Sequence, residues 1–251
     1  MERPEDKRRG MIYVVGTGPG DEDMMTGRAK DALDESDVII GYRLYTDLIR
    51  KSYPDKEIVE SGMRQEMDRC RRCIELARQG RRVCLICSGD AGVYGMASPM
   101  LEMAQREDFY DVEIIPGVTA ALSGAALLGA PIGHDFCIIS LSDLLTPADL
   151  IEKRLKYAAM ADMCIVLYNP ASRSRAEGLK KACDIMLTIL PPDRICGYVM
   201  NIGREGTKTG ICTLSELKDE EASMQTTVFI GNSKSRRWGD LMITPRGYDI
   251  G

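Results

Sequence analysis

Strand-length apolar runs alternate with helical-period runs along nearly the whole chain. The first series places strands over 12–15, 38–40, 82–86 and 112–115, with helices over 26–35, 43–51, 65–79, 98–106 and 120–128. A second series follows: strand 136–140, helix 149–160, strand 164–168, helix 175–188, strand 195–201, a helical turn over 214–218 and strand 226–230. Such alternation specifies an α/β architecture, because a strand can pair in parallel with the next only through a crossover, usually a helix. The Gly/Pro-rich string "LGAPIGH" over 128–134 separates the two series and reads as a hinge. The expectation is two α/β lobes, 11–130 and 131–251, each a mainly parallel sheet with flanking helices, behind a frayed charged leader over 1–10. A chain of 251 residues is long enough to give each lobe its own core.

Charge and composition exclude several classes. A net charge of −5 gives no support for nucleic-acid binding. No apolar run reaches the roughly 18–20 residues needed to span a bilayer, and "MERPEDKRRG" is not followed by a signal-type apolar core. A cytoplasmic protein with no membrane partner is therefore expected, its nine cysteines reduced. Cys70/Cys73 and Cys84/Cys87 form a CxxC…CxxC pattern, but the second pair lies in a strand, where positions three apart point to opposite faces. Four convergent sulfurs would require breaking that strand, so no metal site is expected there.

Ligands of open α/β lobes sit beyond the carboxyl ends of the strands. Those ends are rich here: "GTGPGD" from Gly16, "CSGDAGVYGMA" from Cys87, "IPGVTAAL" from Ile115, "LYNPASRSR" from Leu167 and "NIGREGT" from Asn201. The first is not a dinucleotide fingerprint, because Asp21 stands where the third glycine belongs and Pro19 removes an N–H that a pyrophosphate would use. Nor is it a P-loop, since "GDEDMM" offers acids where Gly-Lys-Ser/Thr is needed. The second strand also ends in Gly41-Tyr42, without an acid to hold a ribose. The turn suits a neutral or cationic ligand that approaches backbone closely. Asp90, the one carboxylate in the third-strand loop, reads equally well as a cap for the following helix.

Taken together, "VGTGPGD", "SGDAGVYGMA" and "PGVTAA" resemble, in order and spacing, the first-lobe signatures of the tetrapyrrole (corrin/porphyrin) methylase family, over Met11 to Tyr248. "GMRQEMDR", "GHDFCIISLSDLLTP", "LYNPASRSR", "VFIGNSKS" and "ITPRGY" are similar to one branch of it, the precorrin-3B C17-methyltransferases and their cobalt-factor III counterparts. The resemblance implies a two-lobed fold with S-adenosylmethionine in the cleft between lobes, leaving as S-adenosylhomocysteine. It carries cofactor contacts over to Pro19, Ser88, Gly89, Asp90, Val93, Thr119 and Ala120, and in the second lobe to Asn169 and Gly203. It also implies a homodimer. Two positions depart from the branch: Ala148 stands where an aromatic residue is common, and Ser235 where threonine is.

The implied reaction is methylation of carbon 17 of a corrin precursor, coupled to ring contraction with carbon 20 retained as acetyl. Holding donor and ring carbon in line is worth up to about 7–11 kcal/mol, and contraction needs a group that handles protons. Ser140, Ser142 and Asp143 are the candidates by type, with His134, the only histidine, as a weaker one. Ser142 or Asp143 reads alternatively as the N-cap of the next helix, and His134 as a linker residue bonded to Asp135. The many carboxylates of such a substrate call for arginine forks, for which the candidates are Arg64 in "GMRQE", Arg173 and Arg175 in "NPASRSR" and Arg204 in "NIGRE". A non-catalytic two-lobed binding protein, a dinucleotide oxidoreductase and another corrin-ring methyltransferase are the competing readings. Whether the substrate carries cobalt is left open.

Overall fold

The computed structural model describes residues 10–172 and 175–249. Residues 1–9 of the predicted leader over 1–10, and Arg173, lie outside the described residues. Gly10, assigned to that leader, is buried, and a Cβ on it would stand 1.8 Å from the Ala77 carbonyl oxygen. Only glycine fits at this position.

Two compact units divide between Thr119 and Ala120. In the first, strands β1 (Met11–Gly16), β2 (Val38–Tyr42), β3 (Glu57–Ser61), β4 (Arg82–Cys87) and β5 (Val112–Ile115) form one sheet in the order β3-β2-β4-β1-β5. All four pairings are parallel, as the helical crossovers α1 (Gly27–Glu35), α2 (Arg43–Ile49), α3 (Glu66–Arg78) and α4 (Ala97–Arg106) demand. β1, β2 and β4 are buried on both faces, which explains their unbroken apolar runs. Ile12, Ile40 and Leu85 join one apolar cluster, Ile39 and Ile86 the other. Burying each such side chain contributes about 1.5–3 kcal/mol. β3 escapes the sequence reading because "EIVES" is only half buried and carries acids at both exposed positions.

The four pattern cysteines are split as strand geometry requires. Cys70, Cys73 and Cys87 belong to one cluster, Cys84 to the opposite one. Burial pushes the Cys87 thiol up to about 11 and the Cys84 thiol up to about 12.

The second unit holds α5 (Ala120–Leu128), β6 (Gly129–Ala130), β7 (Phe136–Ser140), α6 (Ala148–Met160), β8 (Cys164–Tyr168), α7 (Gly178–Leu187), β9 (Ile195–Met200), β10 (Lys208–Thr213), α8 (Leu214–Leu217), β11 (Thr226–Ile230), β12 (Arg236–Trp238) and β13 (Leu241–Ile243). Its main sheet runs β10-β9-β11-β8-β7. Here the expectation of a mainly parallel sheet fails: only β7 and β8 pair in parallel, and β11 with β8, β11 with β9 and β10 with β9 are antiparallel. The reason is local. β9 and β10 are joined by a hairpin loop over 201–207, with positive φ at Asn201, Gly203 and Gly206, too short for a crossover. β11 then inserts between β8 and β9 in the reverse direction.

The lobe boundary at 130 is also corrected. α5, assigned by order to the first lobe, packs Ala121, Ala125 and Leu128 with Val166, Val199 and Phe229 of the second sheet and with Ile202 of the loop after β9. Gly124 permits that approach, since a Cβ there would lie 3.0 Å from both Ile202 Cδ1 and Phe229 Cζ. The predicted hinge is likewise a paired segment: β6 runs parallel to β13, and Thr244 Oγ1 donates to the Pro131 carbonyl at 2.7 Å.

Candidate functional site

In the first unit, the ends of β1 and β4 and the turn after β5 close on one another through backbone. Gly18 and Gly89 exchange N–H···O bonds of 3.0 and 2.6 Å, both with positive φ of 77° and 72°. A Cβ on Gly16 would meet Gly89 O at 2.7 Å and Gly117 N at 2.8 Å, and one on Gly117 would meet Gly89 O at 2.2 Å. Glycine is required at both because three strand-end backbones pass with no room for a side chain. Thr17 donates its hydroxyl to Cys87 O at 3.1 Å, and Ser88 donates to Gly18 O at 3.4 Å.

Asp90 sits at the centre of this junction. Its Oδ1 accepts from Gly92 N at 2.8 Å and Val93 N at 3.0 Å, and its Oδ2 from Gly117 N at 2.9 Å. It does not cap α4, whose N-cap is Met96. The carboxylate instead ties its own loop to the turn after β5. The chemical consequence is that the amides a phosphate would need are taken: Thr17, Gly18, Gly89, Gly92, Val93 and Gly117 each donate to a protein oxygen. A phosphate nest requires such N–H groups to be open. This junction, with its own carboxylate inside, fits a neutral or cationic ligand. Pro19 and Thr119 flank it and are both buried.

In the second unit, the ends of β7 and β8 carry a polar cluster. Ser140 Oγ accepts from Asn169 Nδ2 at 2.9 Å and from Ser142 N at 3.2 Å. Asn169 adopts a positive φ of 53°, a conformation asparagine tolerates better than most residues. Arg175 donates Nη1 to Asp143 Oδ1 at 2.9 Å and Nη2 to Asn169 O at 3.0 Å. Four of the predicted residues, Ser140, Ser142, Asp143 and Asn169, are thereby joined by direct bonds or through Arg175. The predicted N-cap role of Ser142 or Asp143 is overturned, because α6 begins at Ala148 after Pro147, with no side-chain cap. Ala148, one of the two departures, is the first residue of that helix and is exposed. Arg175 is also no open fork: both terminal nitrogens have protein acceptors, and it precedes α7 rather than starting it.

His134 does not join this cluster. It stands at the opposite end of β7 from Ser140, about 20 Å along an extended chain. Its Nδ1 accepts from Asp135 N at 2.8 Å, the linker arrangement. Arg64 is exposed with φ 64°, in the loop after β3. Buried Arg69 of α3 donates to Ser61 Oγ at 2.7 Å and Gly62 O at 3.0 Å, at the start of that loop. Gly203, with φ 65°, and Arg204 lie in the β9–β10 hairpin, where Arg204 N donates to Asn201 O at 3.0 Å. Ser235 keeps the hydroxyl expected of its position and accepts from Asn232 N at 2.9 Å. Sequence reasoning missed Tyr168, whose hydroxyl accepts from Ala121 N at 2.6 Å and fastens the start of α5 to the end of β8. An aromatic at a strand end carries no signal for such a bond.

Comparison with known proteins supplies the wider frame. Residues 11–218 match the family described as tetrapyrrole (corrin/porphyrin) methylases. A probable cobalt-factor III C(17)-methyltransferase of Salmonella typhimurium is 43% identical, over 96% of this chain and 100% of that protein. A precorrin-3B C(17)-methyltransferase of Sinorhizobium sp. is 39% identical, over 95% of this chain and 97% of that one. The crystal structure of the methyltransferase CobJ superposes with a TM-score of 0.88 at 36% identity, covering 94% of this chain and 100% of that one. With a family match across most of its length and full-length relatives at this identity, the chain belongs to the tetrapyrrole (corrin/porphyrin) methylases.

Proposed function

We propose that this protein is the C17-methyltransferase of corrin biosynthesis, transferring a methyl group from S-adenosylmethionine to a precorrin-3B-type macrocycle with ring contraction. The observation that carries this reading is end-to-end similarity to proteins named for that activity. The Asp90 junction supports the choice of donor, because its amides are closed to phosphate while its carboxylate suits a sulfonium. S-adenosylmethionine, when bound, supplies an electrophilic methyl group. Pro19, Ser88, Gly89, Asp90, Val93 and Thr119 of the first unit, and Ala120, Asn169 and Gly203 of the second, are the residues proposed to hold it.

The chain's own part in the chemistry is orientation and proton handling. Ser140, Ser142 and Asp143 supply hydroxyls that donate or accept and one half-exposed carboxylate. Arg64 and Arg204 are proposed to receive substrate carboxylates. His134 is withdrawn from the catalytic set on position, and Arg175 from the substrate set on its bonds. A homodimer in the cytoplasm completes the reading; no helix among the described residues is long and apolar enough to cross a membrane. The test is a pair of measurements. S-adenosylhomocysteine at a hundred times its Kd is expected to stabilise the fold by about 2.7 kcal/mol, and NAD to leave it unchanged. Labelled S-adenosylmethionine with cobalt-loaded and metal-free substrate is then expected to give a contracted, methylated product by mass spectrometry. Stabilisation without label transfer would identify a binding protein instead.

A further inference from the structure

Arg175 is an unusual choice for stability alone. Its side chain is 16% exposed, yet its Nε is buried without a hydrogen-bond partner among the described residues. An unsatisfied buried donor is a cost that lysine would avoid. What lysine lacks is a rigid fork with two divergent N–H groups. Here those groups reach the Asn169 carbonyl after β8 and the Asp143 carboxylate after β7. The backbone of Arg175 is itself held, exchanging N–H···O bonds of 3.0 and 3.2 Å with Ser172. Gly178 leaves room for the side chain: a Cβ there would lie 3.2 Å from Arg175 Nε and 2.5 Å from Pro170 O.

The fork also acts on a conformation that needs support. Asn169 has φ 53°, and its side chain donates to Ser140. A non-glycine residue in the left-handed region persists when its surroundings over-determine it. Nη2 on the Asn169 carbonyl and Ser140 on its amide do so from two sides. The loop from 141 to 147 is fixed at its base by Ser142 N on Ser140 and by Asp143 on Arg175. Beyond that base Leu144 and Leu145 are 65% and 99% exposed, so packing does not hold the loop.

We propose that Arg175 is a positioning residue, a two-pronged brace that sets the loops after β7 and β8 and so the mutual placement of Ser140, Asp143 and Asn169, without gripping substrate itself. The proposal rests on the functional reading only in assigning those three residues to the active site. Amide hydrogen exchange on the ligand-free protein tests the brace independently: Arg175→Ala is expected to speed exchange in 141–147 and around Asn169 by about tenfold or more, leaving β1 and β4 unchanged. Unchanged exchange in both loops would overturn it. With S-adenosylmethionine and the tetrapyrrole, Arg175→Ala is expected to lower kcat by about 10–100-fold and weaken S-adenosylhomocysteine about tenfold in calorimetry, with the tetrapyrrole KM within about threefold. Arg175→Lys, which keeps charge and bulk but not the fork, is expected to show the same split in weaker form and covers the case in which alanine does not fold. A tetrapyrrole KM raised about tenfold with kcat and cofactor affinity intact would make Arg175 a substrate residue. A lowered melting point with normal kinetics would make it structural. Wild-type protein that neither binds S-adenosylhomocysteine nor methylates tetrapyrrole would sink the functional reading, and exchange alone would then decide the brace.

Discussion

Asp90 and Asp143 are both acids in strand-end loops, the first after buried β4 and the second after partly exposed β7, and their surroundings give them opposite tasks. Asp90 accepts three backbone N–H bonds from two loops, and so acts as part of the frame. Among the described residues Asp143 is bonded by the Arg175 guanidinium alone, and its side chain is 51% exposed. A carboxylate whose oxygens are occupied by backbone holds geometry, whereas one fixed from a single side by a cation keeps a free edge for chemistry. The difference follows from the turns. Three glycine backbones converge around Asp90, while around Asp143 the nearest converging group is a side chain.

That contrast breaks most visibly at Asp90. Asp90→Ala leaves three amides without an acceptor and is expected to destabilise by about 3 kcal/mol or more, read from urea midpoints, since bonds to a charged acceptor are worth about 1.5–3 kcal/mol each before water replaces some. Asp90→Asn retains one acceptor oxygen and should lose roughly half as much. A loss below about 0.5 kcal/mol for alanine, the range of ordinary surface changes, would remove Asp90 from the frame.

Asp143→Asn sharpens the other side. Asparagine still offers Arg175 an acceptor, and an exposed ion pair contributes no more than about 1 kcal/mol, so stability should hold within that figure. Turnover is expected to fall about a hundredfold with cofactor affinity unchanged, if the carboxylate moves a proton. Near-normal turnover with the contracted product would reduce Asp143 to the partner of Arg175.

The smallest effect belongs to a third acid. Asp162 accepts from Ser233 N at 2.8 Å and from buried Arg194 at 3.0 Å. Desolvation works to raise its pKa, but the Ser233 bonds and Arg194 outweigh it and hold the carboxyl below its ordinary 3.8. A depressed folded value means that the stabilisation is complete above the ordinary carboxylate range and is lost as pH falls through it and below. With the side chain 42% exposed, screening limits the effect to about 1 kcal/mol or less. Asp162→Asn should therefore flatten the melting-point curve below about pH 4 and leave it parallel above. An unchanged acid limb would remove Asp162 from the acid response.

Much of this was legible along the chain. Buried parallel strands appear as unbroken apolar runs, so β1, β2 and β4 were visible, and the glycines and acids of the first turn already excluded a phosphate loop. The half-buried edge strand β3 and the short strands β6, β12 and β13 were not, because two or three residues carry no period and exposed edges carry mixed residues. β10 failed for a related reason: "KTGICT" is partly exposed along its whole length.

What the sequence determined by itself was local: which segments bury both faces, where backbone must pass backbone, and which strand ends carry polar groups. Residue type and spacing are enough for those, because close approach admits only glycine and burial on both faces admits only apolar runs. What tertiary structure decided was partnership. It assigned α5 to the second sheet through Gly124, reversed β11 between β8 and β9, and separated His134 from Ser140 by the length of a strand. It also turned Asp90 into a tie between two loops and Arg175 from an open fork into a brace. Each depends on which residues distant in sequence meet in space, and a hydrogen bond between them leaves no period in the chain to read.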